Sequence, residues 1–247
     1  MTSTIQYFNS FCPHIVKHIT GIIHVGAHMC EERDTYLELF RQTDESILWI
    51  EADESIVHEN KAQYPSICMI HACCSDHDNQ GTFYFSNFSR CHTLLPFTEQ
   101  HTSAFPSILQ HESKVQHNKL DTIISKEDKP KRNMLFVSVN GGELQVLKGA
   151  ETLLEFIDFL IVKHEKYPFH TSSSTRNELN DWLGMNGFTK VESIDDSHAY
   201  EVLFYVGIDA YDLIKNKDKR MTDELQLMIE EYNSKHNTNV VTQVFDD

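Results

Sequence analysis

The stretch Ile22-Ile23-His24-Val25-Gly26-Ala27-His28-Met29-Cys30-Glu31-Glu32 decides the fold class of this 247-residue chain. An apolar, β-branched run reaches a single glycine and then gives way to charged residues with helical spacing, which predicts a buried strand, a tight turn and a helix start. Gly26 has no Cβ, so the backbone of this turn can approach a ligand closely. The following helix would aim free N–H groups at the same point. In α/β proteins such a turn is where nucleotide-like cofactors usually bind.

Downstream of this turn, apolar strands alternate with helical segments as far as residue 206. This alternation predicts a mostly parallel sheet with helices on both faces. The last two strands have no long crossover helix between them, which allows one antiparallel strand. The predicted strands are 21–25, 47–51, 67–72, 82–85, 134–139, 159–162, 188–194 and 200–206. The predicted helices are 31–41, 54–63, 143–156, a capped helix that begins after Thr175 and ends near Met185, and 222–232.

The chain divides into three parts. Residues 1–20 are predicted to be a lead helix or lid, residues 21–207 the main domain, and residues 208–247 a C-terminal helical extension with a mobile tail. Within the main domain, residues 87–119 are irregular in pattern and rich in Ser, His, Thr and Pro. Loops of this length in compact domains are usually functional or disordered, so we expect an insertion that lies over the sheet.

Charge and composition narrow the possible partners. The formal net charge is −16, from 37 acidic and 21 basic residues, and such a surface repels phosphate backbones. No apolar run has the length needed to span a membrane, and the N-terminal residues lack the pattern of a signal peptide. Six cysteines are scattered without a CxxC motif. We therefore expect a cytoplasmic protein that binds no nucleic acid.

Several motifs in register resemble the FkbM family of S-adenosylmethionine-dependent methyltransferases, and more narrowly a branch with the pattern HVGAHxxEE. The order and spacing hold from about residue 21 to residue 206. The resemblance implies a Rossmann-like class I methyltransferase fold, with a mostly parallel seven-stranded sheet and S-adenosylmethionine as cofactor. The matching residues are His24–His28 with Glu31, Glu32 and Tyr36, Leu48–Ala52, Ser75-Asp76, Leu120–Thr122 and Gly141–Ala150.

The same resemblance implies where the cofactor would bind. Gly26 and Ala27 would pass close to its methionine portion. Glu51, at the end of the second strand, would accept hydrogen bonds from the ribose hydroxyls. Ser75 and Asp76 would hold the adenine amino group. The full set of residues expected at the cofactor is His24, Gly26, Ala27, His28, Glu51, Ala52, Ser75, Asp76 and Asn140.

A metal site is the other interpretation of His24 and His28, together with Glu31 and Glu32. The HxxxH spacing crosses a strand-to-turn transition, so it does not present both rings on one side as a helix would. We expect these histidines to hydrogen-bond around the cofactor loop, and we predict no metal.

The sequence departs from the family pattern at Ser138, where the family's motif usually has an aspartate. A serine hydroxyl does not act as a base near neutral pH without help. His164 or Glu165, after the next predicted strand, would supply a base instead. Methyl transfer from a sulfonium depends largely on positioning, so the substitution is compatible with activity. The predicted catalytic residues are therefore Ser138, His164 and Glu165.

The leading hypothesis is an O-methyltransferase that acts on a hydroxyl of a sugar, a glycan or another small polar acceptor. The acceptor would enter under residues 87–119 and face Asn87, Ser89, Arg90 and His92. The alternative is a catalytically impaired binding or scaffold protein of the same fold, which Ser138 motivates. A dinucleotide-dependent oxidoreductase is disfavoured, because the first turn lacks the GxGxxG pattern that a pyrophosphate requires. The sequence leaves the oligomeric state open.

Overall fold

A seven-stranded sheet forms the centre of the molecule in the computed structural model, which describes residues 13–124, 131–197 and 199–210 together with Ser234. The strand order is β3-β2-β1-β7-β8-β10-β9. All neighbours are parallel except β10, which runs antiparallel to both β8 and β9. The predicted α/β fold with one antiparallel strand near the C-terminus is confirmed. The strands are β1 Ile22–Val25, β2 Ile47–Glu51, β3 Cys68–His71, β7 Met134–Val137, β8 Phe159–Glu165, β9 Phe188–Asp195 and β10 Tyr200–Gly207.

Helices and short 3-10 turns connect these strands. The α-helices are α1 Arg33–Glu38, α2 Glu54–Gln63, α3 Glu99–Ala104, α4 Leu120–Ile123, α5 Glu143–Lys148, α6 Glu151–Leu154 and α7 Arg176–Met185. The 3-10 turns are Pro13–His18, Asp44–Ser46, Ser89–Cys91 and Ile208–Ala210. The boundaries predicted for β2 and α2 are confirmed, and the predicted capping box between Thr175 and Glu178 is present.

Each face of the sheet has its own hydrophobic core, because successive strand side chains point to opposite faces. Ile22 belongs to one cluster, which contains six buried aromatic side chains, Trp49 and Phe136 among them. Ile23 belongs to the other, which is mainly aliphatic. Every residue of β1, β2 and β7 is buried, which is the pattern of central parallel strands covered by helices on both sides.

A second sheet of three strands lies beside the first, in the order β4-β6-β5, with β4 Cys73–Cys74, β5 Gln80–Ser86 and β6 Gln110–Asn118. The prediction that residues 87–119 are irregular is wrong for residues 110–118, which pair with β5 over seven positions. It also misses α3 in the same stretch. The sequence of β6, QHESKVQHN, is polar and has a single buried residue, so it lacks the apolar alternation on which strand prediction depends.

The helix predicted over 31–41 is shorter, Arg33–Glu38, and several strand ends differ from their predicted bounds by one or two residues. Two larger differences affect the site. The single helix predicted over 143–156 is broken into α5 and α6 at Gly149, where a Cβ would lie 2.0 Å from the Ser75 carbonyl oxygen. Strand β8 continues past the predicted end to Glu165, so residues 163–165 are strand residues rather than a loop. The extension changes which of these side chains face the site described below.

The predicted terminal segments lie mostly outside the described residues. Of residues 1–20, the structure shows the 3-10 turn at 13–18, and residues 1–12 fall outside. The helix predicted at 222–232 and the predicted mobile tail also fall outside. In the part of the chain that is described, no helix has both the length and the apolar character needed to cross a membrane.

Candidate functional site

A cavity of about 720 Å³ lies at the C-terminal ends of the central strands. Seven of the residues predicted for the site line it: His24, Gly26, His28, Glu51, Ala52, Ser138 and Asn140. Five do not: Ala27, Ser75, Asp76, His164 and Glu165. The strand-end position is where ligands bind in open α/β sheets, so the cavity is the candidate site.

The turn after β1 is fixed by hydrogen bonds to the neighbouring strand. The N–H groups of Gly26 and Ala27 both donate to the Ile50 carbonyl, at 2.9 and 3.1 Å. Gly26 has a φ of 83°, and a Cβ there would lie 2.0 Å from the carbonyl oxygen of Ser138. Glycine is therefore required for packing against the β7 end, whereas the sequence suggested close approach to a ligand. Ala27 is buried in the core and does not reach the cavity.

Glu51 places a fixed carboxylate on the cavity wall. Its Oε2 accepts the backbone N–H of His28 at 2.8 Å, and its Oε1 accepts those of Ala52 and Asp53 at 2.8 and 2.9 Å. A carboxylate has about four acceptor positions, so these three bonds leave one for a ligand. Glu51 thus ties the ends of β1 and β2 together and keeps capacity for a hydroxyl donor.

His24 contributes a buried, neutral ring to the floor of the cavity. Its Nδ1 lies 3.0 Å from the Tyr36 hydroxyl, and its ring centre lies 4.4 Å from Phe136 and 5.0 Å from Trp49. Burial lowers the pKa of His24 to about 3. The ring therefore stays uncharged at neutral pH. Among the described residues, no group of three or more His, Cys, Asp or Glu side chains is arranged to hold a metal ion.

Residues 88–94, here called the covering segment, form one side of the cavity. The Ser89 hydroxyl lies 2.9 Å from His28 Nε2, and Arg90 forms an ion pair with Glu31. His92 Nε2 lies 3.0 Å from Asp53 Oδ2. These contacts hold the segment against the loops that follow β1 and β2.

Asn140 ties the covering segment to the end of β7. Its Nδ2 donates to the carbonyl oxygens of Arg90 and His92 at 2.8 and 3.0 Å, and its own carbonyl accepts the Thr93 hydroxyl at 2.7 Å. The amide nitrogen of Asn140, expected at the cofactor, is thus engaged in holding the segment. Of the residues expected to face the acceptor, Ser89, Arg90 and His92 line the cavity, whereas Asn87 bonds the backbone near residue 109 instead.

Ser75 and Asp76 lie outside the cavity. The Ser75 N–H donates to the Asn118 carbonyl at 2.9 Å, and Asp76 Oδ1 is 2.7 Å from His77 Nδ1. The two preceding residues, Cys73 and Cys74, form the cavity wall at this end.

His164 and Glu165 do not reach the cavity, so their predicted placement beside the acceptor is wrong. The His164 ring is buried, with Nε2 2.9 Å from the Ser174 carbonyl and Nδ1 3.6 Å from Glu201. Glu165 is bonded through Oε2 to His170 Nδ1 at 2.7 Å, and both side chains are 2% exposed. His164 is one position out of phase with the cavity because side chains alternate along the extended strand β8.

Lys163, which the sequence reasoning missed, occupies the place expected for His164. Its Nζ lies 3.1 Å from Asp196 Oδ2 and 5.2 Å from the ring centre of Tyr200, and all three residues line the cavity with Ser138. The signal was available in the sequence: continuing the period-two alternation of β8 past residue 162 puts Lys163 on the cavity face.

Glu143, also missed as a functional residue, holds the turn after β7. Its Oε1 accepts the N–H groups of Val139 and Gly141 at 3.3 and 3.1 Å, and the side chain is buried. Burial raises the pKa of Glu143 to about 7. The carboxyl therefore shapes the loop that carries Asn140.

Comparisons with known proteins identify a matching family and proteins of similar structure. The Methyltransferase FkbM domain matches residues 24–201, which is more than half of the chain. An uncharacterized protein of Listeria monocytogenes serotype 4b has a similar structure, with a TM-score of 0.50 and 11% identity over 98% of this chain and 91% of that one. The magnesium protoporphyrin IX methyltransferase of Synechocystis PCC 6803 gives a TM-score of 0.39 and 8% identity over 83% of this chain and 76% of that one.

At such low identity the structural similarity to the Listeria protein shows the fold alone. No curated protein matches the sequence. The domain match covers the β1 turn, Glu51 and the β7 end, which are the parts that build the cavity. This chain therefore belongs to the FkbM methyltransferase family and is an S-adenosylmethionine-dependent methyltransferase.

Proposed function

We propose that this enzyme methylates a hydroxyl group of a sugar, a glycan or another small polar acceptor. The observation that supports the proposal is the polar end of the cavity, where Ser138, Lys163, Asp196 and Tyr200 come together. These side chains offer both donors and acceptors of hydrogen bonds, which is what a polyhydroxylated molecule requires. An apolar acceptor would remove water from these polar groups without offering them hydrogen bonds in return, which is unfavourable.

The cavity extends across four neighbouring strands of the sheet, from β2 to β8. Glu51 is on β2 and Lys163 on β8, with β1 and β7 between them in the sheet. Neighbouring strands lie about 4.8 Å apart, so three spacings separate these strands by about 14 Å. We assign the cofactor to the β2 and β1 end and the acceptor to the β7 and β8 end.

The residues present fit S-adenosylmethionine. Glu51 has acceptor capacity left for a hydroxyl donor, and the turn at Gly26 is open to the cavity. The wall carries four acidic side chains against two basic ones, Glu31, Glu32, Glu51 and Asp196 against Arg90 and Lys163. An excess of acidic groups favours a cationic ligand. The bound cofactor would supply an electrophilic methyl group on a sulfonium.

The protein's own residues would then orient the acceptor and keep out water. Lys163, held by Asp196, and Ser138 would position acceptor hydroxyls by hydrogen bonding. The covering segment, fixed by Asn140, would close the side of the cavity. Alignment of this kind accounts for much of the barrier reduction in transfer reactions between two bound molecules. Ser138 itself would donate or accept a hydrogen bond and would not take up the proton.

The acidic surface and the cysteines support the remaining parts of the proposal. A net charge of −16 favours an acceptor other than nucleic acid. The five described cysteines, Cys30, Cys68, Cys73, Cys74 and Cys91, are all free, which supports a reducing cytoplasmic setting.

Calorimetric titration followed by a transfer assay tests the proposal. We expect S-adenosylhomocysteine to bind with micromolar affinity. We also expect methyl groups from tritiated S-adenosylmethionine to appear on at least one member of a panel of monosaccharides and methyl glycosides. Glu51→Gln should weaken the binding of S-adenosylhomocysteine. Glu59→Gln, on the exposed face of α2, is its matched control, because it also removes one carboxylate. Cofactor binding without transfer to any member of the panel would contradict a sugar acceptor.

Ser138 favours a second candidate, a protein that binds the cofactor without efficient turnover. The variant Ser138→Asp restores the family's aspartate and separates the two. If methyl transfer appears only in Ser138→Asp, the natural protein is a binding or scaffold module. If the natural protein transfers methyl groups at a rate comparable with the variant, it is an enzyme that works without this aspartate.

A further inference from the structure

Glu32 differs from the other acidic residues of the cavity wall. Glu31 bonds His28 and Arg90, Glu51 accepts three backbone N–H groups, and Asp196 pairs with Lys163. Within the described residues Glu32 has no hydrogen bond or ion pair with another side chain. It precedes α1, yet its carboxylate does not cap that helix. Among the described residues, its carboxylate hydrogen-bonds only to the backbone of Glu32 itself, which leaves most of its acceptor capacity for a ligand.

We propose that Glu32 is the general base of the methyl transfer and takes the proton from the acceptor hydroxyl. This rests on the proposed function, since it requires a hydroxyl acceptor. Glu32 and Ser138 line the same cavity, and Glu32 lies near enough to Lys163, at the proposed acceptor end, for their charges to interact. A carboxylate on the β1 loop would thus take over from the aspartate that Ser138 replaces.

The environment of Glu32 suits this role. The charged and titratable groups that face it are Cys30, Glu31 and Tyr36 from its own segment, Lys163 from β8 and Arg90 from the covering segment. Burial and the neighbouring Glu31 raise the pKa of Glu32 to about 7, and the two basic side chains oppose the rise. A base is most efficient when its pKa lies near the working pH, because it is then both available and strong enough.

The proposed step transfers one methyl group and one proton. The acceptor oxygen forms a bond to the methyl carbon while the carbon–sulfur bond breaks, and the electron pair of that bond goes to sulfur. The hydroxyl proton passes to a carboxylate oxygen of Glu32. The products are a methyl ether, a neutral thioether and a protonated Glu32, which returns its proton to water before the next cycle.

The competing role for Glu32 is to hold the amino group of the cofactor. The affinity of a Glu32 variant for S-adenosylhomocysteine distinguishes this role from that of a base. We expect Glu32→Gln to bind S-adenosylhomocysteine within threefold of the unaltered protein, because a base acts on the acceptor. A loss of affinity of more than tenfold would overturn the proposal in favour of a cofactor contact. Glu59→Gln removes the same charge from an exposed helix face and should bind normally.

Titration of the carboxyl group needs no acceptor at all. In protein labelled with 13C at the glutamate carboxyl carbons, the signals of Glu32 and Glu143 should titrate near pH 7. Glu32→Gln should remove one of them. If the signal lost in Glu32→Gln titrates near pH 4.5 instead, Glu32 is an ordinary surface acid and the proposal is overturned.

The kinetic readout applies to whichever sugar accepts the methyl group. Glu32→Gln should lower kcat by about 100-fold or more, the usual contribution of a general base. The rise of kcat/KM through pH 7 should disappear in the same variant. A variant that keeps its rate within threefold would overturn the proposal. If the unaltered protein methylates no sugar, the proposed function fails, and the titration and binding results still decide whether Glu32 is available as a base.

Discussion

The backbone of Gly26 packs directly against the carbonyl of Ser138, the residue that departs from the family pattern. A Cβ at position 26 would lie 2.0 Å from that oxygen, and the N–H of Ser138 donates to the Val25 carbonyl at 2.9 Å. The turn after β1, at the proposed cofactor end, thus packs on the backbone at the proposed acceptor end. A change in one is transmitted to the other through main-chain contacts.

We expect Gly26→Ala to lower the free energy of unfolding by about 2–4 kcal/mol, since it adds strain at a positive φ to a backbone clash. The φ of Gly26 is 83°, which L-residues rarely adopt. Urea denaturation followed by circular dichroism measures the change. Gly184→Ala is the control, because position 184 lies in α7 with no atom within 4 Å of an added Cβ. That substitution should stabilise the protein by about 0.5–1 kcal/mol. Equal stabilities for Gly26→Ala and the natural protein would refute the close packing.

We expect Glu51→Gln to bind S-adenosylhomocysteine at least about tenfold more weakly, which corresponds to 1.4 kcal/mol. Both carboxylate oxygens accept backbone N–H groups, so the amide nitrogen of glutamine would face at least one donor. The loops after β1 and β2 should then lose their fixed arrangement. Calorimetry on Glu51→Gln and Glu59→Gln provides the comparison. Unchanged affinity in Glu51→Gln would show that the carboxylate takes no part in cofactor binding.

Much of the fold could be predicted from the sequence because the central strands are buried on both faces. Runs such as Ile47–Glu51 and Met134–Val137 are apolar throughout and are bounded by turn residues. Strand β6 could not be predicted, because it gains its order from pairing with β5 rather than from burial of an apolar face. The local residue pattern of β6 carries no information about its pairing with β5.

The sequence predicted correctly those cavity residues that lie directly at the end of a central strand. Gly26, Glu51 and Ser138 all stand at strand ends and all line the cavity. Lys163 was missed because β8 was ended three residues early, and the error put His164 in its place. The bonds of Asn140 to residues 90 and 92 join residues that are 50 and 48 positions apart, and the sequence gives no sign of them.

We expect the covering segment to depend on His92 and not on Arg90. His92 Nδ1 accepts the N–H of Ser86 at 2.9 Å, so Nε2 carries the hydrogen and donates to Asp53 Oδ2 at 3.0 Å. The His92 side chain is 9% exposed, whereas that of Arg90 is 45% exposed, and exposed ion pairs contribute little.

Hydrogen exchange of residues 88–94 measures the difference between the two contacts. His92→Ala should speed exchange there by about tenfold, the effect of losing roughly 1.4 kcal/mol of local stability. Arg90→Ala should change it by less than about threefold. Exchange in α7 serves as the internal control and should stay constant. Equal acceleration in the two variants would mean that the ion pair contributes as much as the buried contact.

The buried carboxyl of Glu143 should make stability fall as pH rises. Its pKa is raised by burial from 4.5 to about 7 in the folded protein, so between these values the folded state binds more protons than the unfolded state. The free energy of unfolding therefore decreases from about pH 4.5 to pH 7 and then levels off. Glu143→Gln cannot ionise, and its oxygen can still accept the N–H groups of Val139 and Gly141. We expect this variant to match the natural protein at pH 5 and to be more stable at pH 8, by up to about 3 kcal/mol.

Urea denaturation of both proteins at pH 5, 6, 7 and 8 provides the test. The control is Glu155→Gln, which changes an exposed carboxyl at the C-terminal end of α6. The control should show no pH-dependent difference from the natural protein, because its carboxyl is hydrated in both states. A constant offset between Glu143→Gln and the natural protein across this range would mean that Glu143 is ionised at every pH tested. In that case the carboxylate would be stabilised by the turn it holds, and the burial of its charge would not limit the stability of the fold.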